Sequence, residues 1–221
     1  MSEIVDRATR PKRIVLIRHG ESQGNVDPAV YERTPDHALE LTERGRDQCA
    51  RAGAALRELF AGEHVTAFVS PYRRTRETFR HLGLDPATTR MKEEPRLREQ
   101  DWGNLQDPSD IDRQRAERDA YGHFFYRFKD GESGADVYDR VGAFLETMHR
   151  DFARHALRYG PDRNVLLVTH GLTMRLFCMR WFHWSVEEFE CLSNPDNGET
   201  RVLVRGDDGR YTLDRPFSRW K

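Results

Sequence analysis

The sequence predicts an α/β fold built as a three-layer sandwich, with a mostly parallel central sheet between two layers of helices. Three short runs of branched apolar residues are typical of strands buried on both faces, and they cover residues 13–18, 65–69 and 164–169. Segments with apolar side chains at helical spacing alternate with these runs along the chain. Such alternation is the pattern of a parallel sheet covered by helices on both faces.

The helical segments have recognisable ends. Residues 42–62 form the first, with Thr42 as the expected N-cap and Gly62 as the stop. A second helix follows residues 70–71 and should run to about Leu82. A third should end near residues 160–161, and a capping box precedes its apolar stripe. The box comprises Ser133 and Asp136, and the stripe comprises Val137, Val141, Phe144, Leu145, Met148 and Phe152.

The last part of the chain repeats the strand-to-helix pattern and then changes. A helix should follow the third strand and extend through Leu176 and Trp181. Residues 200–205 and 211–213 are separated by a Gly-Asp-Asp-Gly turn. We therefore expect them to form a terminal hairpin or two edge strands.

We expect one domain over residues 1–221, because no repeat or linker composition interrupts the chain. Residues 104–134 are less regular, since charged and aromatic side chains replace the apolar periodicity there. We interpret this region as an insertion of loops and short helices. Its aromatic stretch, residues 121–129, fits either a lid over a binding site or packing against the main core. Its run of arginines at 113–118 fits a salt-bridged helix face.

Composition and charge exclude several classes of protein. The chain has 221 residues and a formal net charge of −1, so it lacks the broad positive surface of a nucleic-acid binder. No apolar run approaches the ~20 residues of a membrane helix, and residues 1–12 lack the apolar stretch of a secretory signal, so we expect a cytoplasmic protein. Its cysteines lack metal-ligand spacing, and we interpret all three as buried thiols: Cys49, Cys178 and Cys191.

Two histidines, His19 and His170, directly follow predicted strands, and a glycine comes after each of them. Because ligands bind at the carboxyl ends of parallel strands, both imidazoles are expected at one edge of the sheet. Arg18 ends the first strand, and further arginines lie among residues 70–78, just after the second strand. The sequence therefore brings several cationic or hydrogen-bond-donating side chains to the same edge.

This combination of side chains suits a phosphoryl group. Guanidinium groups pair with phosphoryl oxygens in a fork geometry and stabilise the charge that develops during transfer. A glycine turn lets the backbone approach the anion closely. An imidazole with an ordinary pKa of about 6.5 is neutral and nucleophilic near pH 7, so it can accept the phosphoryl group covalently. This chemistry requires no metal and no cofactor.

These motifs make the chain resemble the histidine phosphatase superfamily, the phosphoglycerate mutase-like proteins. Four elements of the family pattern occur in order over most of the chain. They are Arg18-His19-Gly20-Glu21-Ser22 with Asn25, then Ser70 with Arg74 and Thr78, then Leu97 with Glu99 and Gly103, and finally His170-Gly171. The second element selects Arg74 from its neighbours Arg73 and Arg76. Phrases at 24–27, 124–127 and 131–133 are similar to those of small mutase-like proteins of plants and fungi.

The resemblance implies a phosphoglycerate mutase-like fold and a role for each matching residue. His19 would be the nucleophile that forms a phosphohistidine, with Arg18, Arg74 and His170 holding the phosphoryl oxygens. Glu99 would protonate the leaving alcohol and then take a proton from the attacking water. The expected substrate-binding set comprises Arg18, Ser22, Asn25, Arg74, Trp102, His170, Gly171 and Leu172.

One further segment is a candidate for the border of the pocket. Residues 27–41 are polar, contain prolines and directly follow the nucleophile loop. Their default interpretation is a solvated loop. Thr34 and His37 are the two side chains in it that could reach the substrate, whereas the remaining histidines have the context of surface or packing residues.

Departures from the mutase pattern favour hydrolysis. The mutases carry Glu-Arg-His-Tyr-Gly where this chain has Glu99-Gln-Asp-Trp-Gly103, so an acid replaces a basic side chain expected near the substrate carboxylate. Leu172 stands where the mutases have Asn. We therefore expect a metal-independent phosphomonoester hydrolase that acts on a small phosphorylated substrate. The alternatives are a cofactor-dependent phosphoglycerate mutase and a non-catalytic module that senses phosphate or docks a protein.

Overall fold

A six-stranded sheet runs through the centre of the computed structural model, which describes residues 9–104, 106–160 and 163–220. The strands are β1 (Arg13–Arg18), β2 (His64–Val69), β3 (Thr89–Glu93), β4 (Arg163–Thr169), β5 (Thr200–Arg205) and β6 (Tyr211–Leu213). Their order across the sheet is β3-β2-β4-β1-β5-β6. The first four strands of this order are parallel, and β5 and β6 are antiparallel to their inner neighbours. The expected mostly parallel sheet and the terminal hairpin are both confirmed.

Seven α-helices lie among the described residues. They are α1 (Gln23–Val26), α2 (Glu43–Phe60), α3 (Arg73–Leu82), α4 (Pro108–Tyr121), α5 (Gly134–Tyr159), α6 (Gly171–Phe182) and α7 (Val186–Glu190). The predicted starts of α2 and α5 are confirmed, because the side chain of Thr42 accepts from the N–H of Gly45 and Ser133 forms a capping box with Asp136. None of the described helices combines the length and the apolar character needed to cross a membrane.

Alternate residues of the inner strands face opposite sides of the sheet, so the apolar core has two halves. On one side, Leu16 and Leu167 belong to a cluster with the apolar stripe of α5 and with α6. On the other side, Ile17 and Val168 belong to a cluster with Leu56 and other apolar residues of α2 and α3. Helices therefore cover both faces, which gives the expected three layers.

Three local features differ from the sequence prediction. Strand β3 was not predicted, because only Thr89 of its five residues is buried and the apolar signal of a core strand is missing. The insertion contains α4, a helix of 14 residues rather than short helices, whose start is capped by Asp107. Cys191 is exposed at the end of α7, so its interpretation as a buried thiol is wrong, whereas Cys49 and Cys178 are buried.

The pairing of β1 with β4 fixes where the site can form. Arg18 is in register with Thr169, and the N–H of His19 donates to the carbonyl of Thr169 over 3.0 Å. The two strands therefore end together, and His19 and His170 leave the sheet side by side. Residues 1–8, 105, 161–162 and 221, which the expected domain includes, lie outside the described residues, as does part of the predicted end of α5 at 160–161.

Candidate active site

The two strand-end imidazoles are buried together at the carboxyl edge of the sheet. The ring centroids of His19 and His170 lie 5.2 Å apart, and the residues are 3% and 0% exposed. Burial, reinforced by the positive charge of Arg74, holds the pKa of both rings well below the ordinary value. Both imidazoles are therefore neutral at pH 7.

The orientation of the His19 ring is set by the backbone of the next residue, Gly20. Its Nδ1 lies 2.7 Å from the carbonyl oxygen of Gly20. Because a carbonyl oxygen only accepts hydrogen bonds, Nδ1 carries the hydrogen, and the lone pair of the neutral ring is on Nε2. Nε2 is thus the nucleophilic atom of this histidine.

The loop after His19 requires glycine because two chain segments touch there. A Cβ on Gly20 would lie 2.4 Å from the carbonyl oxygen of Gly45 and 2.7 Å from the Sγ of Cys49. The N–H of Gly20 donates to Oγ1 of Thr78, and that hydroxyl donates to the carbonyl of Arg74. The loop after His19 is thereby tied to α2 and α3, and a larger residue at this position would push them apart.

Arg74 is the arginine of α3 that points into the site. It is 4% exposed, and its Nη2 lies 3.4 Å from Nδ1 of His170. Arg73 instead pairs on the surface with Glu40 and Glu77. The choice of Arg74 made by the motif thus agrees with its position in the structure.

The guanidinium of Arg74 is paired with Asp36, a residue that the sequence analysis did not predict for the site. Nη1 of Arg74 donates to Oδ1 of Asp36 over 2.8 Å and to its backbone carbonyl over 2.7 Å, while Nη2 donates to Oδ2 over 3.3 Å. Asp36 begins a short 3₁₀ helix, Asp36–Ala38, in the polar segment that was interpreted as a solvated loop. The carboxylate of Asp36 therefore occupies N–H donors of Arg74 that a bound phosphoryl group would need.

Glu99 follows a 3₁₀ turn, Pro95–Leu97, and reaches the same place from another direction. Its Oε2 lies 3.9 Å from Nδ1 of His170, and its side chain is 16% exposed. Burial raises the pKa of the Glu99 carboxyl, although the charge of Arg74 acts in the opposite direction. A carboxyl group in this environment retains its proton at a higher pH than an exposed glutamate.

Two residues of the site are anchored from behind. Oγ of Ser70 lies 2.9 Å from Nε2 of His170, so the hydroxyl fixes the ring from the side opposite Arg74. Arg18 donates through Nη1 to the carbonyl of Pro195 over 2.6 Å. The loop after α7 therefore helps to orient the arginine that ends β1.

These groups surround a cavity of about 200 Å³. Its walls contain the predicted residues Arg18, His19, Ser22, Asn25, Arg74, Glu99 and Trp102, together with Gly24, Tyr31, Asp36, Arg115 and Asn194. Burial raises the pKa of Tyr31 to about 12, so this phenol remains a hydrogen-bond donor. The polar walls suit a small anion better than an apolar ligand.

Other predicted substrate-binding residues lie behind the cavity rather than in its wall. His170 is fully buried and contacts the site through Arg74 and Glu99. Gly171 packs against Asn194, where a Cβ would lie 2.7 Å from the side chain. Leu172 is 4% exposed and belongs to the apolar core that contains α5 and α6.

The polar loop and the insertion both border this region. His37 lines a neighbouring cavity of about 200 Å³, which shares Asp36 and Trp102 with the first, whereas Thr34 lines neither. The aromatic stretch of the insertion divides: Phe124 and Phe128 are buried, but Tyr121 and Phe125 are exposed. Phe128 packs on Trp102 with ring centroids 4.7 Å apart, so it supports the cavity wall from behind.

Sequence reasoning missed four side chains of the cavity wall, Tyr31, Asp36, Arg115 and Asn194, and it also missed Gly24. Three of these side chains lie in segments without an apolar pattern, and Arg115 belongs to the arginine run interpreted as a helix face. That interpretation fits Arg113, which pairs with Asp110 and Glu117. For Tyr31 and Asp36 the available signal was their position, since both closely follow the loop after His19.

Comparison with known proteins places this geometry in a family. A model of the histidine phosphatase superfamily, branch 1, matches residues 14–216. The chain is 47% identical to the phosphoglycerate mutase-like protein AT74 of Arabidopsis thaliana, over 94% of this chain and 69% of that protein. It is 32% identical to the broad-range acid phosphatase DET1 of Saccharomyces cerevisiae, over 96% of this chain and 91% of the yeast protein.

A solved structure agrees with the sequence comparison. Mycobacterial hydrolase 1 superposes with a TM-score of 0.73 at 26% identity, covering 95% of this chain and 99% of that one. The family match extends over nearly the whole sheet and includes every motif that the sequence analysis identified. The chain belongs to the histidine phosphatase superfamily, branch 1.

Proposed function

We propose that this protein hydrolyses small phosphomonoesters through a phosphohistidine on His19, without a metal or cofactor. The observation that carries the proposal is the environment of the His19 ring. Its Nδ1–H is held by the Gly20 carbonyl, its Nε2 has the free lone pair, and the ring lines a cavity whose walls include Arg18, Arg74 and Glu99. Nucleophile, cations and proton donor thus converge on a space the size of a small anion.

In the first step, Nε2 of His19 attacks phosphorus and the bond to the leaving oxygen breaks. Arg18 and Arg74 hold the phosphoryl oxygens, and His170 supports them from behind. Glu99 gives its proton to the leaving oxygen, so the product departs as an alcohol. Its raised pKa favours this role because the buried carboxyl keeps its proton to a higher pH than an exposed glutamate does.

In the second step, the carboxylate of Glu99 takes a proton from water. The water oxygen attacks phosphorus, the bond from nitrogen to phosphorus breaks, and inorganic phosphate leaves. His19 returns to its neutral form with the hydrogen still on Nδ1. Glu99 is protonated again, so the site is ready for another substrate.

The relatives and the charge of the surroundings support hydrolysis over mutase chemistry. Two relatives bear the names of acid phosphatases, one from yeast and one from Mycobacterium tuberculosis. A mutase must hold a second acidic group of its substrate. Here Asp36 lines both cavities and Asp101 lines the second, and their negative charges would repel such a group. Beyond Arg18 and Arg74, which the proposal assigns to the phosphoryl group, the wall of the first cavity contains one more arginine, Arg115. Mutase activity is the second candidate, since other relatives are named phosphoglycerate mutases.

We also propose that residues 1–221 form one domain in which residues 104–134 are an insertion beside the substrate. Helix α4 brings Arg115 into the wall of the cavity, and Phe128 supports Trp102. Gly131 approaches the segment that carries Glu99, since a Cβ on it would lie 2.5 Å from the carbonyl oxygen of Asp101. This placement makes the insertion a determinant of substrate choice.

The central test is hydrolysis of p-nitrophenyl phosphate in buffer with EDTA. His19→Ala should abolish phosphate release, while His81→Ala, which replaces an exposed histidine on α3, should leave it unchanged. Rapid quenching of the wild type with radiolabelled substrate should trap a phosphoenzyme that is labile in acid and stable in alkali. Activity in His19→Ala equal to the wild type would contradict the proposal, and loss of wild-type activity in EDTA would indicate a metal.

The mutase alternative is tested with 3-phosphoglycerate and a trace of 2,3-bisphosphoglycerate. A phosphatase should release inorganic phosphate and form little 2-phosphoglycerate. Rapid interconversion of the two phosphoglycerates with little free phosphate would establish a mutase instead. Absence of both reactions and of p-nitrophenyl phosphate hydrolysis would favour a non-catalytic phosphate-sensing module.

A further inference from the structure

The segment that carries Glu99 is held in an unusual way. It begins within the 3₁₀ turn Pro95–Leu97, and four consecutive backbone carbonyls, those of residues 96–99, accept hydrogen bonds from side chains of other elements. Oγ1 of Thr169 donates to Leu97 over 2.7 Å, and Oγ1 of Thr173 donates to Arg98 over 3.1 Å. The remaining bonds come from one residue on α5, Arg140.

Arg140 uses all five of its N–H donors in this place. Nη1 donates to the carbonyls of Arg96 and Arg98 over 2.6 and 2.9 Å, and Nη2 donates to the carbonyl of Glu99 over 3.0 Å. Nε and Nη2 donate to the two carboxylate oxygens of Glu132 over 3.0 and 2.9 Å. The planar guanidinium therefore fixes the spacing of three carbonyls at once, which the single ammonium of a lysine does not do.

Glu132 completes the arrangement from the end of the insertion. Its side chain is 14% exposed and that of Arg140 is 11% exposed, so water screens the pair only weakly. Oε2 of Glu132 also accepts from the N–H of Asp101 over 3.1 Å, and Arg98 pairs with Oε1. The buried side chain of Gln100 donates to the carbonyl of Glu132 over 2.8 Å. The backbone on both sides of Glu99 is thus attached to the same ion pair.

We propose that Arg140 and Glu132 are positioning residues that set the reach of the Glu99 carboxyl to the leaving oxygen of the substrate. The inference rests on the proposed function, in which Glu99 donates that proton. Proton transfer requires the carboxyl within about 2.6–3.2 Å of the leaving oxygen, and a displacement of about 1 Å can cost about 100-fold in rate. Among the described residues, the hydrogen bonds of Arg140 all go to the backbone of this segment and to Glu132, so its geometry acts on the reaction through Glu99. In addition to burial, its positive charge contributes to lowering the pKa of His170, and a lysine at this position would keep that charge.

The test compares two substrates that differ in their need for a proton donor. The p-nitrophenolate group leaves without protonation, whereas the alkoxide of glycerol 3-phosphate requires it. The value of kcat/KM reports steps up to the departure of the leaving group, so it isolates the proton transfer of the first step. Arg140→Lys keeps the positive charge but not the fork, and Glu132→Gln keeps the shape of the partner but not its charge.

We expect Arg140→Lys to lower kcat/KM about 30-fold for glycerol 3-phosphate and less than about threefold for p-nitrophenyl phosphate, with a smaller loss of the same pattern in Glu132→Gln. The control is Arg154→Lys, which changes a strongly exposed arginine on the same helix and should affect neither substrate. Thermal unfolding is measured for each variant, and Glu132→Gln carries the test if Arg140→Lys does not fold.

Glu99→Gln separates failure of the inference from failure of the proposed function. If Glu99→Gln shows the dependence on leaving group and the Arg140 and Glu132 variants lose activity equally on both substrates, the positioning role is wrong while the proposed function stands. If Glu99→Gln itself affects both substrates equally, Glu99 is not the proton donor and both ideas fail. A selective loss in all three variants supports the inference.

Discussion

In the proposed mechanism, Asp36 and the phosphoryl group of the substrate need the same guanidinium, that of Arg74. The carboxylate and carbonyl oxygens of Asp36 lie 2.7 to 3.3 Å from Nη1 and Nη2 of Arg74, and the two side chains are 17% and 5% exposed. A phosphoryl oxygen that pairs with Arg74 must therefore displace the carboxylate or share its donors. We predict that Asp36→Asn, which keeps the size of the side chain and the backbone carbonyl, binds inorganic phosphate more tightly than the wild type.

The size of the effect follows from the burial of the pair. Exposed ion pairs contribute about 0–1 kcal/mol, and removing one partner of a fully buried pair costs about 3–5 kcal/mol. Here a phosphoryl group takes the place of the carboxylate, and Asp36 keeps some contact with water, so only part of the larger figure applies. We expect a gain of about 1–3 kcal/mol, which corresponds to phosphate binding that is about 5- to 150-fold tighter.

Two measurements check this prediction: the inhibition constant of phosphate against p-nitrophenyl phosphate, and isothermal titration calorimetry of phosphate with the ligand-free protein. Asp207→Asn, an exposed position in the turn between β5 and β6, changes the net charge equally and serves as the control. Phosphate binding that is unchanged or weaker in Asp36→Asn would refute the reasoning. It would mean that Asp36 orients Arg74 for substrate instead of competing with it.

Three further predictions concern neighbouring groups. Ser70→Ala removes the hydrogen bond to His170, worth about 1 kcal/mol, so kcat/KM for p-nitrophenyl phosphate should fall about fivefold; an unchanged value would mean that packing alone orients the ring. Asp101→Asn should raise kcat/KM for 3-phosphoglycerate relative to glycerol 3-phosphate by about fivefold, because it removes about 1 kcal/mol of repulsion between Asp101 and the substrate carboxylate. Equal effects on both substrates would place the leaving group elsewhere. Burial raises the pKa of Glu99, so kcat/KM for glycerol 3-phosphate should decline as pH rises through that raised value and the carboxyl loses its proton. Glu99→Gln should abolish this decline. A decline that persists in the variant would belong to another group.

The strands that build the site were predictable because their burial leaves a direct mark on the sequence. A parallel strand covered on both faces consists of consecutive apolar residues, and β1 and β4 each end at a polar residue followed by a histidine. Their shared edge follows from the geometry of parallel sheets, so His19 and His170 could be placed together. Strand β3 has one buried residue and could not be recognised in this way.

The contacts of the cavity depend on how distant segments pack, and the sequence does not encode them as a local pattern. Asp36 meets Arg74 only because the polar loop folds back over α3. Leu172 occupies a position suggested by a motif, but the first turn of α6 directs its side chain into the core. Conversely, Glu99 was identifiable by its motif alone, since nothing in its local sequence indicates the burial that raises its pKa.

The chain has 32 arginines and four lysines, and this preference has a physical reason beyond the proposed phosphoryl pocket. Several arginines donate to backbone carbonyls where the chain lacks regular partners: Arg140 binds the Glu99 segment, Arg18 binds Pro195, and Arg175 binds the carbonyl of Leu192 over 2.6 Å. Burial lowers the pKa of Arg175 to about 10, which still leaves it charged at pH 7. A lysine starts from about 10.4, so the same burial would bring its pKa much closer to pH 7, and its ammonium also lacks the planar fork that binds several carbonyls at once. Loops that meet a buried polar site are therefore held more securely by arginine than by lysine.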